Sequence, residues 1–158
     1  MDDVPNGAHV AEVEIDRDAG EVTLARYTAV HDYRVLVNPM IAAGQAHGAI
    51  ARGVGQALLE HAVYDPETGQ LIAGSLIDYA LPRADDLPSY DLSLNGTRCT
   101  TNPLGVKGCG EAGAVSAFPA VTNAVLDALA PLGVTALIGP ATSERIWRAI
   151  RAGSLVLP

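Results

Sequence analysis

The glycine-rich stretch of residues 100–114 constrains this chain more than any other part of its sequence. Four glycines fall within nine residues, and an apolar helical pattern follows at once. Glycine lets the backbone adopt positive φ and approach a ligand closely. A glycine-rich loop before a helix also gathers unpaired N–H groups that suit an anionic or electron-rich ligand. One interpretation is a tight turn in which Glu111 is favoured by the helix dipole. The other is a ligand site in which Glu111 is a positioned base. The loop alone favours the turn.

The length and composition predict one domain with a core of its own. The 158 residues are 49% hydrophobic and 18% charged, which excludes a disordered chain. Aromatic residues make up only 4%, so the core must be built from Ala, Val, Leu and Ile. We therefore treat residues 1–158 as a single domain.

The net charge of −8 argues against nucleic acid and against anionic membrane surfaces, because both need clusters of Lys and Arg. No apolar run approaches the ~20 residues of a membrane span, so none is expected. The first seven residues lack the basic and apolar regions of a secretory signal. Cys99 and Cys109 make no disulfide framework. A cytoplasmic protein with reduced thiols is the resulting prediction.

The four histidines show no metal-ligand spacing, so no metal held by protein side chains is predicted. No nucleophile elbow or other nucleophile–base pattern points to an independent hydrolase that would use Glu111 with a histidine.

Hydrophobic periodicity and turn chemistry predict an α+β fold, with hairpins and a mixed sheet packed against at least three helices. A β-hairpin is expected in residues 8–32, where period-two patterns flank a turn at 17–20. A helix is expected from Asn38-Pro39 to about His61, followed by a hairpin around the turn at 65–69, an irregular connection at 74–88 and a strand at 90–95. A second helix is expected at 112–129, with a kink or restart at Pro119, and then a strand or extended piece at 134–138. The last helix is expected at 143–151, capped by Thr142 or Ser143, with Ile146, Trp147 and Ile150 facing inward.

The helix that begins at Pro39 carries four glycines, at positions 44, 48, 53 and 55. Each costs roughly 1 kcal/mol relative to Ala inside a helix, so close approach of another group must compensate. A helix, a sheet or a ligand could be that group. Gln45 would be a polar contact on this surface, and a solvated helix position is the alternative for Gln45.

Six stretches, in order along nearly the whole chain, give it a family resemblance. They are residues 6–16, 37–40, 44–57, 78–82, 102–113 and 140–147, and Gly-Val-Lys-Gly-Cys-Gly-Glu-Ala-Gly at 105–113 is the most specific. The chain resembles the C-terminal part of the molybdopterin-binding large subunit of the xanthine dehydrogenase, aldehyde oxidase and carbon monoxide dehydrogenase family.

The resemblance implies a role for each matched site residue. Glu111 would be the catalytic general base that acts on a metal-bound hydroxyl beside molybdenum. Gln45 would hydrogen-bond the pterin cofactor, and Gly108, Cys109 and Gly110 would line the same site through their backbone. Lys107 matches a common family lysine that supports the loop. The family's molybdenum is held by the pterin dithiolene, which agrees with the missing ligand pattern.

The resemblance also implies that the isolated chain is incomplete. The family's large subunit is much longer, and its other cofactor-binding loops lie upstream of the matched part. The molybdenum-molybdopterin cofactor, in its cytosine dinucleotide form, would be shared with a partner chain that supplies the rest of the large subunit. FAD and 2Fe-2S would lie on other subunits. The substrate would be an aldehyde or an N-heterocycle, and carbon monoxide stays open as the least favoured alternative because its dedicated loop lies upstream of the matched part. Self-association of the isolated chain is expected from its exposed surface. The alternative is a non-catalytic structural or interaction remnant of such a subunit.

Overall fold

The computed structural model describes residues 4–33 and 35–153. Its elements in chain order are β1 (Asn6–Ile15), β2 (Val22–Asp32), α1 (Pro39–Leu58), a 3-10 turn (Ala84–Asp86), β3 (Tyr90–Asn95), α2 (Ala112–Leu129), a second 3-10 turn (Ala130–Leu132) and α3 (Ser143–Ala152). Three helices and a three-stranded mixed sheet confirm the α+β class. The first three residues of the predicted non-secretory N-terminus lie outside the described residues.

The sheet has the order β1-β2-β3. β1 and β2 form the predicted antiparallel hairpin, with a bulge between Glu12 and Val13. β3 pairs parallel to β2, and α1 lies in the crossover that a parallel connection requires. One face of the sheet packs against α2, whereas the outer residues of β1 face solvent.

The core lies where α2 meets α1 and the sheet. Its fully buried side chains include Tyr27, Ile50, Val54, Val121, Val125, Leu129, Val134 and Ile146. Alanines fill the places between them, as the low aromatic content predicts.

One glycine of α1 and one glycine of α2 lie at the contact between the two helices. A Cβ at Gly53 would lie 2.6 Å from the Cβ of Ala117, and one at Gly113 would lie 2.9 Å from the Cβ of Ala49. Glycines from both helices therefore allow α1 and α2 to approach closely. A Cβ at Gly44 or Gly48 would meet nothing within 4 Å, so these two positions leave an open surface on α1.

Asn38 begins α1 as predicted, because its side-chain oxygen accepts the backbone N–H of Ile41 at 3.1 Å. α1 ends at Leu58 rather than near His61. Thr142 is the N-cap residue of α3, without a side-chain capping bond. In the turn between β1 and β2, Gly20 has a φ of 71° and lies against the backbone of Ser143 and Trp147 of α3.

Four local predictions need correction. The hairpin around 65–69 is reduced to one bridge, between Tyr64 and Leu71, because the segment beyond it turns away as an irregular loop. Residues 134–138 carry no regular secondary structure, so of the two expected alternatives the strand is absent. α2 continues through Pro119, so the restart is absent. Trp147 is 37% exposed rather than inward, and the guanidinium of Arg151 lies over its ring, 4.6 Å from the centroid.

The expectation about apolar length is wrong for one helix. Residues Ala112–Leu132 are long and apolar enough, by length and composition alone, to cross a membrane. In this fold the same helix buries Gly113, Ala117, Val121, Val125 and Leu129 against the rest of the chain. A single helix of this kind is weak evidence for a span, and the absence of a span stays a prediction.

Candidate active site

Glu111 is the N-cap residue of α2, but its side chain makes no capping hydrogen bond. Its Oε2 instead accepts a hydrogen bond from Nη1 of Arg52 on α1, at 2.9 Å. Both side chains are about two-thirds exposed, at 67% for Glu111 and 68% for Arg52. The carboxylate is therefore available to a ligand, which the tight-turn interpretation does not require.

The glycines of the predicted site present open backbone. Gly108 and Gly110 are both exposed, and a Cβ at Gly110 would meet nothing within 4 Å. Cys109 between them is half-buried. No disulfide joins it to Cys99, which lies buried in the same described segment. The packing of this domain thus gives no reason for the small size of residue 110.

Gln45 lies on the exposed side of α1. It precedes Arg52 by seven residues, so the two share one helix face and stand about 10 Å apart along the axis. Gly44 and Gly48 lie on this same face. Gln45 therefore lies on the same face of α1 as Arg52, the partner of Glu111, and Gly48 stands between Gln45 and Arg52 along the helix.

Glu111 lies in the wall of an open cavity of about 390 Å³, which we call the Glu111 cavity. Its other lining residues are Val4, Pro5, Asn6, Gly7, His31, Gly108, Gly110, Ala112, Val115 and Ser116. The cavity joins the start of β1, the end of β2 and the glycine-rich loop. Three of the predicted site residues therefore meet there.

His31 is a member of this wall that sequence reasoning missed. It is only 2% exposed, its Nδ1 lies 3.0 Å from the hydroxyl of Tyr33, and its Nε2 has no hydrogen-bond partner in the described part of the chain. Burial lowers the pKa of His31, so the ring is uncharged at neutral pH. A neutral imidazole adds a polar atom to the wall without adding charge.

The ring of His31 belongs to a buried cluster of histidines and tyrosines beneath the site. Nδ1 of His9 lies 2.6 Å from the hydroxyl of Tyr27, and the rings of His9 and His31 meet edge to face. Burial, with a smaller contribution from His31, lowers the pKa of His9 to about 4. Burial, and then the nearby Cys109, raises the pKa of Tyr33 to about 12. The cluster is therefore uncharged at neutral pH, and Tyr33 lines one cavity together with Cys109 of the loop.

Lys107 fixes the loop to the end of β2. Its Nζ donates to Oδ2 of Asp32 at 2.7 Å, and the two side chains are only 9% and 12% exposed. Asp32 also accepts hydrogen bonds from the backbone and the hydroxyl of Thr97. The hydrogen bond from Lys107 is the main reason why the pKa of Asp32 lies below its usual value. This geometry agrees with a supporting role for Lys107.

Arg52 was missed although the sequence carries a signal for it. It is the only Lys, Arg, Asp or Glu in the 20 residues of α1, and it follows Gln45 at a spacing of seven. Asp32 carried no such signal, because its partner Lys107 lies 75 positions away.

Among residues 4–33 and 35–153, no group of three or more His, Cys, Asp or Glu side chains could hold a metal ion. A larger cavity of about 600 Å³ lies near the start of α3, with Glu21, Asp85, Asp86 and Glu144 in its wall. Its carboxylates are among those that form no such metal group.

Fold and site together define an α+β domain that exposes a carboxylate, a side-chain amide and open glycine backbone. A family model described as "Molybdopterin cofactor-binding domain" matches residues 2–88, more than half of the chain. The chain therefore belongs to the molybdopterin cofactor-binding domain family. Gln45 lies inside the matched range, whereas the glycine-rich loop lies beyond it.

Curated relatives extend the similarity to the rest of the chain. The carbon monoxide dehydrogenase large chain of Hydrogenophaga pseudoflava is 37% identical over 153 residues, which are 97% of this chain and 19% of that protein. The nicotine 6-hydroxylase large subunit of Paenarthrobacter nicotinovorans is 39% identical over 146 residues, which are 92% of this chain and 18% of that protein. The chain thus spans about a fifth of the length of these relatives.

Solved structures agree. A Cu,Mo-CO dehydrogenase in its carbon monoxide reduced state matches with a TM-score of 0.90 and 32% identity, over 94% of this chain and 19% of that one. Quinoline 2-oxidoreductase from Pseudomonas putida 86 matches with a TM-score of 0.86 and 42% identity, over 93% of this chain and 19% of that one. The similarity to known proteins therefore includes α2 and the glycine-rich loop.

Proposed function

We propose that residues 1–158 are the C-terminal segment of a molybdenum cofactor-binding domain and supply one wall of the active site of a molybdenum hydroxylase. The observation that carries this proposal is Glu111, which begins α2 with a carboxylate that its own helix does not use. The carboxylate lies in one cavity wall with the open backbone of Gly108 and Gly110.

The residues present fit a molybdenum-molybdopterin cofactor. Such a metal needs no cluster of protein ligands, and none exists among the described residues. The amide of Gln45 would hydrogen-bond the pterin, and the backbone of Gly108, Cys109 and Gly110 would contact the group near its metal. Among the described residues, Nε2 of His31 in the cavity wall has no hydrogen-bond partner, and a Cβ at Gly48 on α1 would meet nothing within 4 Å. We assign the cytosine dinucleotide form of the cofactor as part of the proposal.

When bound, the cofactor supplies a two-electron oxidant and the site of oxygen transfer. Glu111 then acts as the general base that accepts a proton from the attacking oxygen. Lys107 and Asp32 hold the loop that carries it. The neutral histidine–tyrosine cluster keeps further charge away from the wall.

The substrate class that we propose is an aldehyde or an N-heterocycle. The identities to nicotine 6-hydroxylase and quinoline 2-oxidoreductase, 39% and 42%, exceed the 37% and 32% to carbon monoxide dehydrogenases. The relatives named for nicotine and quinoline support the N-heterocycle part of the proposed class. The proposed partners are the remaining part of the large subunit and subunits that carry FAD and 2Fe-2S, all in the cytoplasm.

Co-expression tests the proposal. The chain is produced with the gene for the remaining part of a large subunit, and the purified complex is assayed for molybdenum and for oxidation of aldehydes and N-heterocycles. We expect a molybdenum-containing complex, and Glu111→Gln should lower turnover by about a thousandfold or more while the molybdenum content stays unchanged.

Two results would contradict the proposal. The first is a chain that never joins a partner and never acquires molybdenum, which would favour the non-catalytic remnant. The second is a Glu111→Gln complex with ordinary turnover, which would remove Glu111 from the mechanism. Glu144→Gln on α3 is the control, because it makes the same change at an exposed carboxylate outside the Glu111 cavity.

A further inference from the structure

The contact between Arg52 and Glu111 joins two helices across 59 positions of the sequence. Arg52 brings the only full charge of α1 to this point. Glu111 has no capping bond with its own helix. Among the described hydrogen bonds, the guanidinium of Arg52 is therefore the partner of this carboxylate.

The backbone on both sides of the contact is fixed by the close helix crossing. Gly53 follows Arg52 directly, and Gly113 stands two residues after Glu111. A Cβ at either glycine would lie within 3.0 Å of an atom of the other helix. Because the helices meet there without intervening side chains, the positions of Arg52 and Glu111 relative to each other are set by packed backbone.

A carboxylate has two oxygens and about four acceptor sites, whereas a guanidinium can only donate. Arg52 occupies Oε2 and leaves the second oxygen as an acceptor. Arginine also keeps its charge throughout the working range of pH. The contact therefore restrains the orientation of the carboxylate without removing its capacity to take a proton.

We propose that Arg52 is a positioning residue that holds Glu111 in the orientation needed to accept a proton. The inference rests on the proposed function of Glu111 as the general base. Misplacement of a reacting group by about 1 Å can cost up to 100-fold in rate, so loss of the restraint should act on turnover. An exposed ion pair adds little to folding, so stability should change little.

The chain offers a matched control. Arg148 and Glu144 on α3 form an ion pair of 2.7 Å, with side chains 60% and 68% exposed. This pair has nearly the exposure of Arg52 and Glu111 and lies outside the Glu111 cavity.

The kinetic test uses the assembled, molybdenum-containing complex. We expect Arg52→Gln to lower kcat about tenfold with little change in KM or molybdenum content. Arg52→Lys should restore part of the loss, and Arg148→Gln should match the wild type. An Arg52→Gln complex with the kcat of Arg148→Gln would overturn the inference, and so would a loss of molybdenum in that variant. If both Arg52→Gln and Glu111→Gln leave turnover unchanged, the proposed function of Glu111 and the positioning role of Arg52 are both wrong. If Glu111→Gln lowers turnover and Arg52→Gln does not, only the positioning role is wrong.

A second readout needs no cofactor. In the 158-residue chain labelled with ¹⁵N-arginine, the heteronuclear NOE of each Arg Nε reports the mobility of its side chain on the picosecond–nanosecond timescale. We expect the Arg52 value to fall in Glu111→Gln and to stay unchanged in Glu144→Gln, with the reverse for Arg148. An Arg52 value that is equal in both variants would contradict the positioning role.

Discussion

At the residue scale, the buried Asp32 carboxylate determines where the glycine-rich loop stands. It accepts a hydrogen bond from Nζ of Lys107 and two from Thr97, so it ties both ends of the segment 97–107 to the last residue of β2. Lys107 precedes Glu111 by only four residues. The placement of the candidate base therefore depends on a carboxylate that is not part of the lining of the Glu111 cavity.

Acid should weaken this anchor. The pKa of Asp32 in the folded chain lies below 3.8, mainly because of the hydrogen bond from Lys107. A carboxyl group whose folded pKa is depressed contributes stability that is present above its unfolded pKa and is lost as the pH falls through the folded value. We expect Asp32→Asn to lower the Tm at pH 7 by roughly 5 °C. The difference in Tm between Asp32→Asn and the wild type should decrease below about pH 4. Thermal unfolding followed by circular dichroism measures both.

The double variant Asp32→Asn, Lys107→Met measures how much stability comes from the interaction between the two side chains. Removing one partner leaves a buried charge unpaired, whereas removing both does not. The double variant should therefore be less destabilised than the sum of the single variants. Losses of stability that add up in the double variant would argue against a stabilising interaction between Asp32 and Lys107. A Tm difference between Asp32→Asn and the wild type that does not change with pH would argue against it as well.

At the element scale, α1 uses its glycines in two different ways. Gly53 lies against Ala117 of α2, whereas Gly48 faces open space. The sequence predicts that something must press against this helix, but it does not say which glycine meets which neighbour. That distinction depends on the crossing point of two helices about 60 residues apart.

Alanine substitution should therefore give opposite results at these two glycines. Gly48→Ala should stabilise the isolated chain by up to about 1 kcal/mol, because alanine is the better helix former and nothing obstructs its Cβ. Gly53→Ala should destabilise it by roughly 1–3 kcal/mol, because its Cβ would collide with Ala117. Denaturant unfolding measures both.

The assembled complex adds a second measurement on the same variants. If Gly48 stays open because the cofactor or the partner approaches there, Gly48→Ala should lower the molybdenum content or the yield of complex while it stabilises the isolated chain. Stabilisation in both settings would mean that nothing approaches this face of α1.

The elements that could be predicted are those with local signals. The hairpin of β1 and β2 follows from period-two patterns and a turn, and α1 begins at Asn38-Pro39 as its capping chemistry requires. The parallel pairing of β3 with β2 has no local signal, since the two strands pair across some 60 positions. The hairpin around 65–69 failed for the opposite reason, because turn residues alone do not supply a face to bury.

The residues of the candidate site also fall into two groups, those that the sequence indicates and those that the structure adds. Residue types and order indicated Glu111 and Gln45 through the family resemblance. Asp32 and His31 became visible only through contacts made by folding, and the partner of Asp32 lies 75 positions away. Arg52 has a signal in the sequence as the one charged residue of α1, but its partner Glu111 lies 59 positions away. Lys107 could be assigned a supporting role from the sequence, but its partner could not.

At the scale of the whole molecule, a second open cavity of about 390 Å³ lies beside the loop and the start of α1. Its lining is mostly apolar and includes Val37 and Leu104, which are 87% and 69% exposed. Lys107 and Cys109 belong to the same lining, so this surface adjoins the candidate site. Large exposed apolar patches mark interaction surfaces in soluble proteins. Because the chain spans about a fifth of its relatives, we expect the remaining part of the large subunit to cover this patch.

The isolated chain should therefore self-associate through this patch. We expect sedimentation velocity to show a concentration-dependent oligomer, because burial of apolar surface favours association by roughly 25 cal/mol per Å². The double substitution Val37→Lys, Leu104→Lys should shift the isolated chain to a monomer and should also lower the yield of the co-expressed complex. Gln56→Lys, at an exposed position near the C-terminal end of α1, is the control for added charge. A chain that stays monomeric at all concentrations would leave the patch without a role in self-association. A double variant that still assembles at full yield would show that the partner does not cover this surface.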